Sequence, residues 1–404
     1  MNFFRISLVT VFLSILNTAQ GNAQITTGEL DGRVNTVFTG MPFLRINPDA
    51  RAGGMGDVGL ATSPDAASIY FNMSKLAFSP FNSGISLTYT PWLSNLVDDI
   101  FIAHVAGYHR LDEQQAIAGS LRYFSLGKIL FTDINNQNQG EFNPLELAFD
   151  FGYTRRLSDN FSAGITLKYF NSNLAGGQVV NGVNIKAANG VAADISVYNQ
   201  RDIFVGTIPA TFAWGAAITN IGNKISYTEE AVRDFIPINL GVGTSLSLEF
   251  DEYNKLNFAF DINKLMVPTP VYPIILDENG VEIENPEYDS NPANDIADYR
   301  EKSLLDGMFG SFTDAPGGGK EELRELMYSF GVEYWYNDQF AVRAGHFNEH
   351  KLKGNRKYIN LGIGLKYNIF GFNFAYLVST SSIPNNPLEN TLRFSLTFDL
   401  GEEM

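Results

Sequence analysis

From residue 83 onward the chain alternates between apolar and polar positions. In the last segment Leu392, Phe394, Leu396, Phe398 and Leu400 share one parity, and Arg393, Ser395, Thr397 and Asp399 share the other. A strand here presents one wholly apolar face and one polar, charged face. The same period of two runs through residues 85–89, 145–153, 161–169 and 359–367. About fourteen such segments can be counted between residues 83 and 400. Their connections alternate in length: short ones fall at 110–114, 157–160, 250–254, 337–339 and 368–371, and longer ones at 126–143, 174–188, 220–234, 264–325 and 380–389. An even number of antiparallel strands, with short turns at one end and long loops at the other, is the pattern of a bacterial outer-membrane barrel. Tyr89, Trp92, Tyr108, Tyr153, Trp335, Tyr336, Tyr367 and Phe370 stand near strand ends, where interfacial aromatic girdles belong.

A large soluble sandwich or propeller also alternates. The polar parity argues against it, because it carries Arg122, Lys168, Arg343, Lys366 and Arg393 together with Glu146, Asp150 and Glu333. In a dry core those charges are costly, whereas across a lumen they can pair. The N-terminus agrees. Arg5, an apolar run over residues 6–16 and a small-residue ending at Ala23 read as a signal peptide over residues 1–23. Beyond it no apolar run reaches the roughly 18 residues that a spanning helix needs.

A barrel of this size needs a filling. Eight strands are filled by side chains alone and sixteen leave a water channel, so fourteen leave a lumen that either conducts or is stoppered. The 59 residues 24–82 precede the first strand. Within them residues 47–78 are rich in Gly, Ala, Ser and Asp, with no sustained helical or strand period, and cannot build a core alone. They are expected to form a plug inside the lumen, with Asn47, Arg51, Gly53, Gly54, Gly56, Asp57 and Asn72 as its candidate residues. The barrel is then residues 83–404, with a long extracellular loop at 264–325.

Composition removes several function classes. With 28 Lys and Arg against 44 Asp and Glu, the net charge of -16 opposes a nucleic-acid partner. There is no Cys and there are four His, which leaves little material for zinc or thiol chemistry. Gly54-Met55-Gly56-Asp57-Val58-Gly59 fits a dinucleotide fingerprint but lacks the strand before and helix after it that would aim a helix N-terminus at a pyrophosphate. His346-Phe347-Asn348-Glu349-His350 fits a zinc-protease spacing that works only on a helix, and here it follows a strand. No cofactor or metal is expected, and the chain is read as a non-enzyme.

The 62-residue loop at 264–325 is more than a connection. It opens on an apolar run interrupted by Pro268, Pro270 and Pro273, which oppose regular pairing. Such a run either folds back over the barrel mouth or meets another protein. Candidate partner-binding residues are Leu265, Met266, Val271, Tyr272, Ile274 and Ile275, with Trp92 and Leu93 of the first long loop. Residues 277–301 then hold nine acidic residues and one Arg, an acidic solvated surface without the ligand spacing of an EF-hand. Short helices are expected at 299–309 and 320–327.

Two stretches carry a resemblance. Residues 50–57, Ala-Arg-Ala-Gly-Gly-Met-Gly-Asp, and residues 65–72, Asp-Ala-Ala-Ser-Ile-Tyr-Phe-Asn, followed by Leu76-Ala77, resemble the N-terminal signature of the FadL-like outer-membrane barrels. The resemblance implies a fourteen-stranded barrel closed by an N-terminal hatch. After Asn72 the family usually continues with Pro-Ala or Pro-Gly and then Leu-Ala; here Met73, Ser74 and Lys75 stand instead, which weighs against simple transport of hydrophobic substrates. Over the whole mature chain, from residues 45–56 to the acidic loop, the sequence is more similar to the outer-membrane component of the type IX secretion system. That resemblance implies an integral protein of a Gram-negative outer membrane. It would bind the C-terminal signal domain of secreted cargo at the large translocon barrel and deliver it to the cell-surface attachment complex, with outer-membrane lipid around it. The alternative is a FadL-type channel for hydrophobic small molecules. A lipid-modifying enzyme would need a nucleophile and a base that these residues do not assemble.

Overall fold

The structure, a computed structural model, describes residues 36–93, 99–132, 138–177, 179–180, 183–228, 233–270, 274–276, 282–284, 300–315, 317–380 and 389–401. The signal peptide read at 1–23 lies outside these residues, as do Val271, Tyr272 and most of the acidic run. Twenty strands occur among the described residues: β1 (Ser83–Pro91), β2 (Ile100–Arg110), β3 (Gln115–Leu126), β4 (Ile129–Thr132), β5 (Asn138–Phe142), β6 (Leu145–Ser158), β7 (Phe161–Asn173), β8 (Val179–Val180), β9 (Val183–Asn184), β10 (Ala188–Val205), β11 (Ile208–Gly222), β12 (Asn239–Glu249), β13 (Asn254–Leu265), β14 (Ile274–Leu276), β15 (Glu282–Glu284), β16 (Met327–Tyr336), β17 (Phe340–Asn348), β18 (Lys357–Tyr367), β19 (Phe370–Ser379) and β20 (Leu392–Leu400).

Fourteen of these close into one antiparallel barrel in the order β1-β2-β3-β6-β7-β10-β11-β12-β13-β16-β17-β18-β19-β20. The ring shuts where β1 pairs with β20, from Ser83 opposite Leu400 to Tyr89 opposite Phe394. Closure leaves no unpaired edge, which is what a sheet in hydrocarbon requires. One rim carries short turns, such as those between β16 and β17 and between β18 and β19, and both ends of the barrel chain lie there. The other rim carries the long loops, where β4 and β5, β8 and β9, and β14 and β15 pair as small hairpins. Pairs of two to five residues are too short to show a period, so these hairpins left no mark in the sequence. The prolines of residues 268–273 precede β14 and do not sit within it.

The parity of each strand decides its faces. In β1, Ile85, Leu87 and Tyr89 are exposed while Ser86, Thr88 and Thr90 are buried. Phe149, Phe151, Ile165, Leu167, Leu361, Ile363 and Leu396 are likewise exposed, an inversion of the soluble rule that makes sense only if the solvent outside is apolar. The charged parity faces inward, with Arg122, Glu146, Asp150, Lys168, Glu333, Arg343 and Arg393 all buried.

Residues 36–82 fill the ring from the long-loop rim to the short-turn rim. Met41, Phe43 and Leu44 pack at the long-loop end with Ile102, Phe124, Phe170, Phe235, Ile236, Ile238, Met266 and Val267. Phe78 meets Tyr198 near the opposite end, just before β1 begins. Helical structure in the segment is brief: a 3₁₀ turn at Pro42–Arg45, helices Ala50–Gly53 and Ser68–Phe71, and a 3₁₀ stretch Met73–Phe78. In the long loop, helices span Leu304–Gly310 and Gly319–Arg324, close to the expected pair. Ser303 caps the first by accepting from the Asp306 amide.

Candidate functional site

The first part of the site is the fit of the N-terminal segment to the inner wall. Asp49 caps the helix Ala50–Gly53 by accepting from the Ala52 amide at 2.7 Å, and the Ala50 amide donates to Ser395 Oγ on β20. This cap projects Arg51 onto β16. Its Nε and Nη2 donate to the two oxygens of Glu333 at 3.1 and 2.9 Å, and Glu333 also accepts from Arg343 Nε at 2.7 Å. Arg51 reaches Asp65 at 3.0 Å as well, joining the two halves of the segment. Fork geometry of this kind is specific to guanidinium and carboxylate.

Glycine sets the next contact. Gly56 has φ +71, and a Cβ there would lie 2.6 Å from the His346 amide nitrogen; a Cβ on Gly54 would lie 3.0 Å from the Cα of Gly362. Backbone lies on backbone here, which only Gly allows. The turn delivers Asp57 to Arg393 Nη1 at 2.7 Å, with Asn47 Nδ2 and the Tyr358 hydroxyl donating to the same carboxylate. Further on, the Gly59 and Leu60 amides donate to Asp261 on β13, Ser245 on β12 donates to the Ala61 carbonyl, and Asn72 Nδ2 donates to the carbonyls of Leu60 and Val197. Ser74 meets Ser196 on β10 and its carbonyl accepts from Ser162 on β7. Arg122 on β3 donates to the Leu44 carbonyl and stacks over Tyr70.

The structure thus brings Asn47, Arg51, Gly54, Gly56, Asp57 and Asn72 onto the wall, and Gly53 against the Arg393 guanidinium. Pattern reading missed Lys75, which is 1 % exposed and donates to the Gly59 carbonyl and Thr62 Oγ1. It is one of the three residues, Met73, Ser74 and Lys75, that depart from the FadL-like wording, and that departure was its signal. Between segment and wall a cavity of about 120 Å³ remains, with Arg45, Asp57, Lys168, Asp261 and Arg356 in its lining beside the apolar Leu44, Leu60, Phe71, Met327 and Phe347. Its lining is mixed, with charges of both signs set among apolar side chains.

The second part is the long-loop face. Leu265 and Met266 are buried, Met266 inside the apolar layer beside Met41 and Phe43, so in this structure neither is free to meet a partner: the start of the apolar run folds back. Trp92 and Leu93 are half-buried, Trp92 against the same layer. Ile274 and Ile275 lie on β14. The accessible apolar residues are others. The helix Leu304–Gly310 sets Met308 into the layer and Gly307 on Phe235, while Leu305 and Phe309, four residues apart, are 59 % and 66 % exposed. One helical face is spent on the layer, and the opposite face stays apolar and uncovered.

Ion pairs hold this face down. Lys264 contacts Glu322 at 2.9 Å and Glu325 at 2.5 Å, and Lys353 contacts Glu321 at 2.5 Å and Glu325 at 2.9 Å. Glu349 accepts from Arg356 at 2.8 and 2.9 Å and stands 3.8 Å from Arg45. Burial alone would raise the Glu349 carboxyl, but Arg356 and then Arg45 outweigh it and hold it below its ordinary range. His346 and His350 do not form a metal site: His346 lies on β17 with Nδ1 3.1 Å from the Tyr358 carbonyl, and His350 accepts from the Leu352 amide. Among the described residues no cluster of His, Cys, Asp and Glu could hold a metal ion.

A closed fourteen-strand ring with an apolar exterior, charged interior and unequal rims defines an integral outer-membrane barrel. A family model described as type IX secretion system protein PorV matches residues 29–272, more than half of the chain. The chain belongs to that family, and its membrane is therefore the bacterial outer membrane. The family places it among secretion components. No curated protein matches it. Among solved structures, the toluene transporter TbuX of Ralstonia pickettii is similar at 11 % identity and TM-score 0.45, covering 87 % of this chain and 97 % of its own. A Pseudomonas aeruginosa FadL homologue is similar at 9 % identity and TM-score 0.43, covering 90 % and 99 %. Both are too distant to bear on function.

Proposed function

We propose that the protein is a sealed adaptor of type IX secretion. It binds the C-terminal signal domain of secreted cargo at the large translocon barrel and carries it to the cell-surface attachment complex, while its N-terminal segment acts as a permanent stopper. Family membership supports the pathway. The observation that carries the sealed form is the fastening of one segment to β3, β7, β10, β12, β13, β16 and β20 at once. A path through the lumen would have to break many of these contacts together, and the cavity left between segment and wall carries charges of both signs among its apolar lining, which weighs against passage of hydrophobic molecules. Recognition then falls to the outer face, with Leu305 and Phe309 as its exposed anchors. Aromatic and aliphatic anchors of this kind dominate binding where they enter a partner's pocket.

The test is capture from detergent extracts with the tagged barrel and with the Leu305→Asp/Phe309→Asp variant. The wild type is expected to recover translocon and cargo, and the variant to lose cargo while keeping its heat-dependent gel mobility. Recovery of neither partner by the wild type, together with normal secretion in a deletion strain, overturns the proposal. Uptake of a fatty acid or aromatic compound by the reconstituted barrel would favour the channel.

A further inference from the structure

The long loop leaves a hollow on the outside of the barrel. Lys264 belongs to the outward parity of β13, because Asp261 and Asn263 take the inward one, bonding to the segment and to Asn239. Its ammonium is nevertheless buried, held by Glu322 and Glu325 with the Phe312 ring at 5.6 Å. Residues 312–315 and 317–326 therefore lean over the rim onto the outer wall. Between stretch and wall runs a groove of about 330 Å³, lined by Leu240, Val242, Ile262, Phe312, Leu323 and Leu326, with Lys264 and Glu322 at its polar margin.

Half of that lining, Leu240, Val242 and Ile262, belongs to the outward face of β12 and β13. Val242 is 47 % exposed and pairs with Ile262. Ile262 pairs with Tyr328, whose ring stacks on Phe260 at 6.4 Å. The groove is thus level with an aromatic pair at the outer end of the wall, where acyl chains begin. Its floor is continuous with the hydrocarbon, its roof is Leu323 and Leu326, and its charged margin lies on the side of the headgroups. A soluble partner does not reach that floor.

We propose that this groove holds one acyl chain of an outer-membrane lipid, clamped between the wall of β12 and β13 and the helix Gly319–Arg324. The lipid then sets the posture of the loop together with the ion pairs of Lys264. The site is independent of the secretion role.

The test uses the whole barrel in detergent with a phosphatidylethanolamine of defined chain length as probe, read by native mass spectrometry. Val242→Trp fills the groove, and Leu361→Trp is the control on the outward face of β18. Wild type and control are expected to retain a lipid through detergent exchange, and Val242→Trp to retain at least about tenfold less, the equivalent of one decade in binding constant. A photoreactive residue at Leu326 in vesicles of the same lipid is expected to yield a lipid adduct, and it decides the matter if Val242→Trp fails to fold. Equal retention by a folded Val242→Trp overturns the proposal. So does a crosslink from Leu326 to this chain or to a second protein in place of lipid.

Discussion

Glu333→Ala tests the fastening of the segment at its most heavily used residue. Glu333 is fully buried and joins Arg51 of the segment to Arg343 of the wall through three hydrogen bonds of 2.7, 2.9 and 3.1 Å. Removing it leaves two buried or nearly buried guanidinium groups facing each other, for which the expected cost is about 3 to 5 kcal/mol. The barrel itself keeps its ring of backbone hydrogen bonds, so the loss falls on docking of the segment. At about 1.4 kcal/mol per decade, undocked states rise by roughly a hundredfold to a few thousandfold. Hydrogen exchange of the amides of residues 50–62 in the reconstituted barrel measures this, with heat-dependent gel mobility reporting the barrel separately. Replacing Arg51, Glu333 and Arg343 together by Met is expected to recover most of the protection, since an apolar set of similar size removes the unpaired charge. Exchange unchanged in Glu333→Ala would refute the claim that this triad fastens the segment.

Gly56→Ala places a Cβ at φ +71 and 2.6 Å from the His346 amide nitrogen; it is expected to cost more than about 1 kcal/mol, read as faster exchange confined to the segment. Glu325→Ala strips Lys264 and Lys353 of a shared partner, and an expected cost of about 3 to 5 kcal/mol should open residues 266–326 to added protease on whole cells while the barrel stays heat-modifiable. Glu349 is held below its ordinary carboxylate range, so its contribution is present above pH of about 4.5. It is lost as the pH falls through the lowered native value. Protease sensitivity of the outer face should rise across that acid window in the wild type and be already raised and flat with pH in Glu349→Gln.

The wall was legible because parity is a strong signal. Once Leu392 and Arg393 fall on opposite faces, every neighbour in β20 follows, and the rim assignment follows from turn lengths. The charged lumen was legible for the same reason, since Arg122, Glu333 and Arg343 share the polar parity. Partner choice inside the lumen was not, because Arg51 and Glu333 are 282 residues apart and no period relates them. The folding back of Leu265 and Met266 was equally hidden: an apolar run names no direction, and only the packing of Met41 and Phe43 beside it does. Leu305 and Phe309 were passed over for the opposite reason. Their helix is short, and which side it buries depends on Phe235 in another loop. The groove under Leu323 needs the bend imposed by Lys264, which no local pattern announces.

In the proposed adaptor the lumen stays shut while the protein works. Ser74 of the segment and Ser196 of β10 have hydroxyl oxygens 2.8 Å apart, and the chain has no Cys of its own, so the pair Ser74→Cys/Ser196→Cys locks the segment to the wall by a single disulfide. Secretion and surface attachment of type IX cargo are then measured in a deletion strain complemented by this variant, with and without reductant. Wild-type secretion is expected with the disulfide formed. Secretion lost on oxidation and restored by reductant would contradict it.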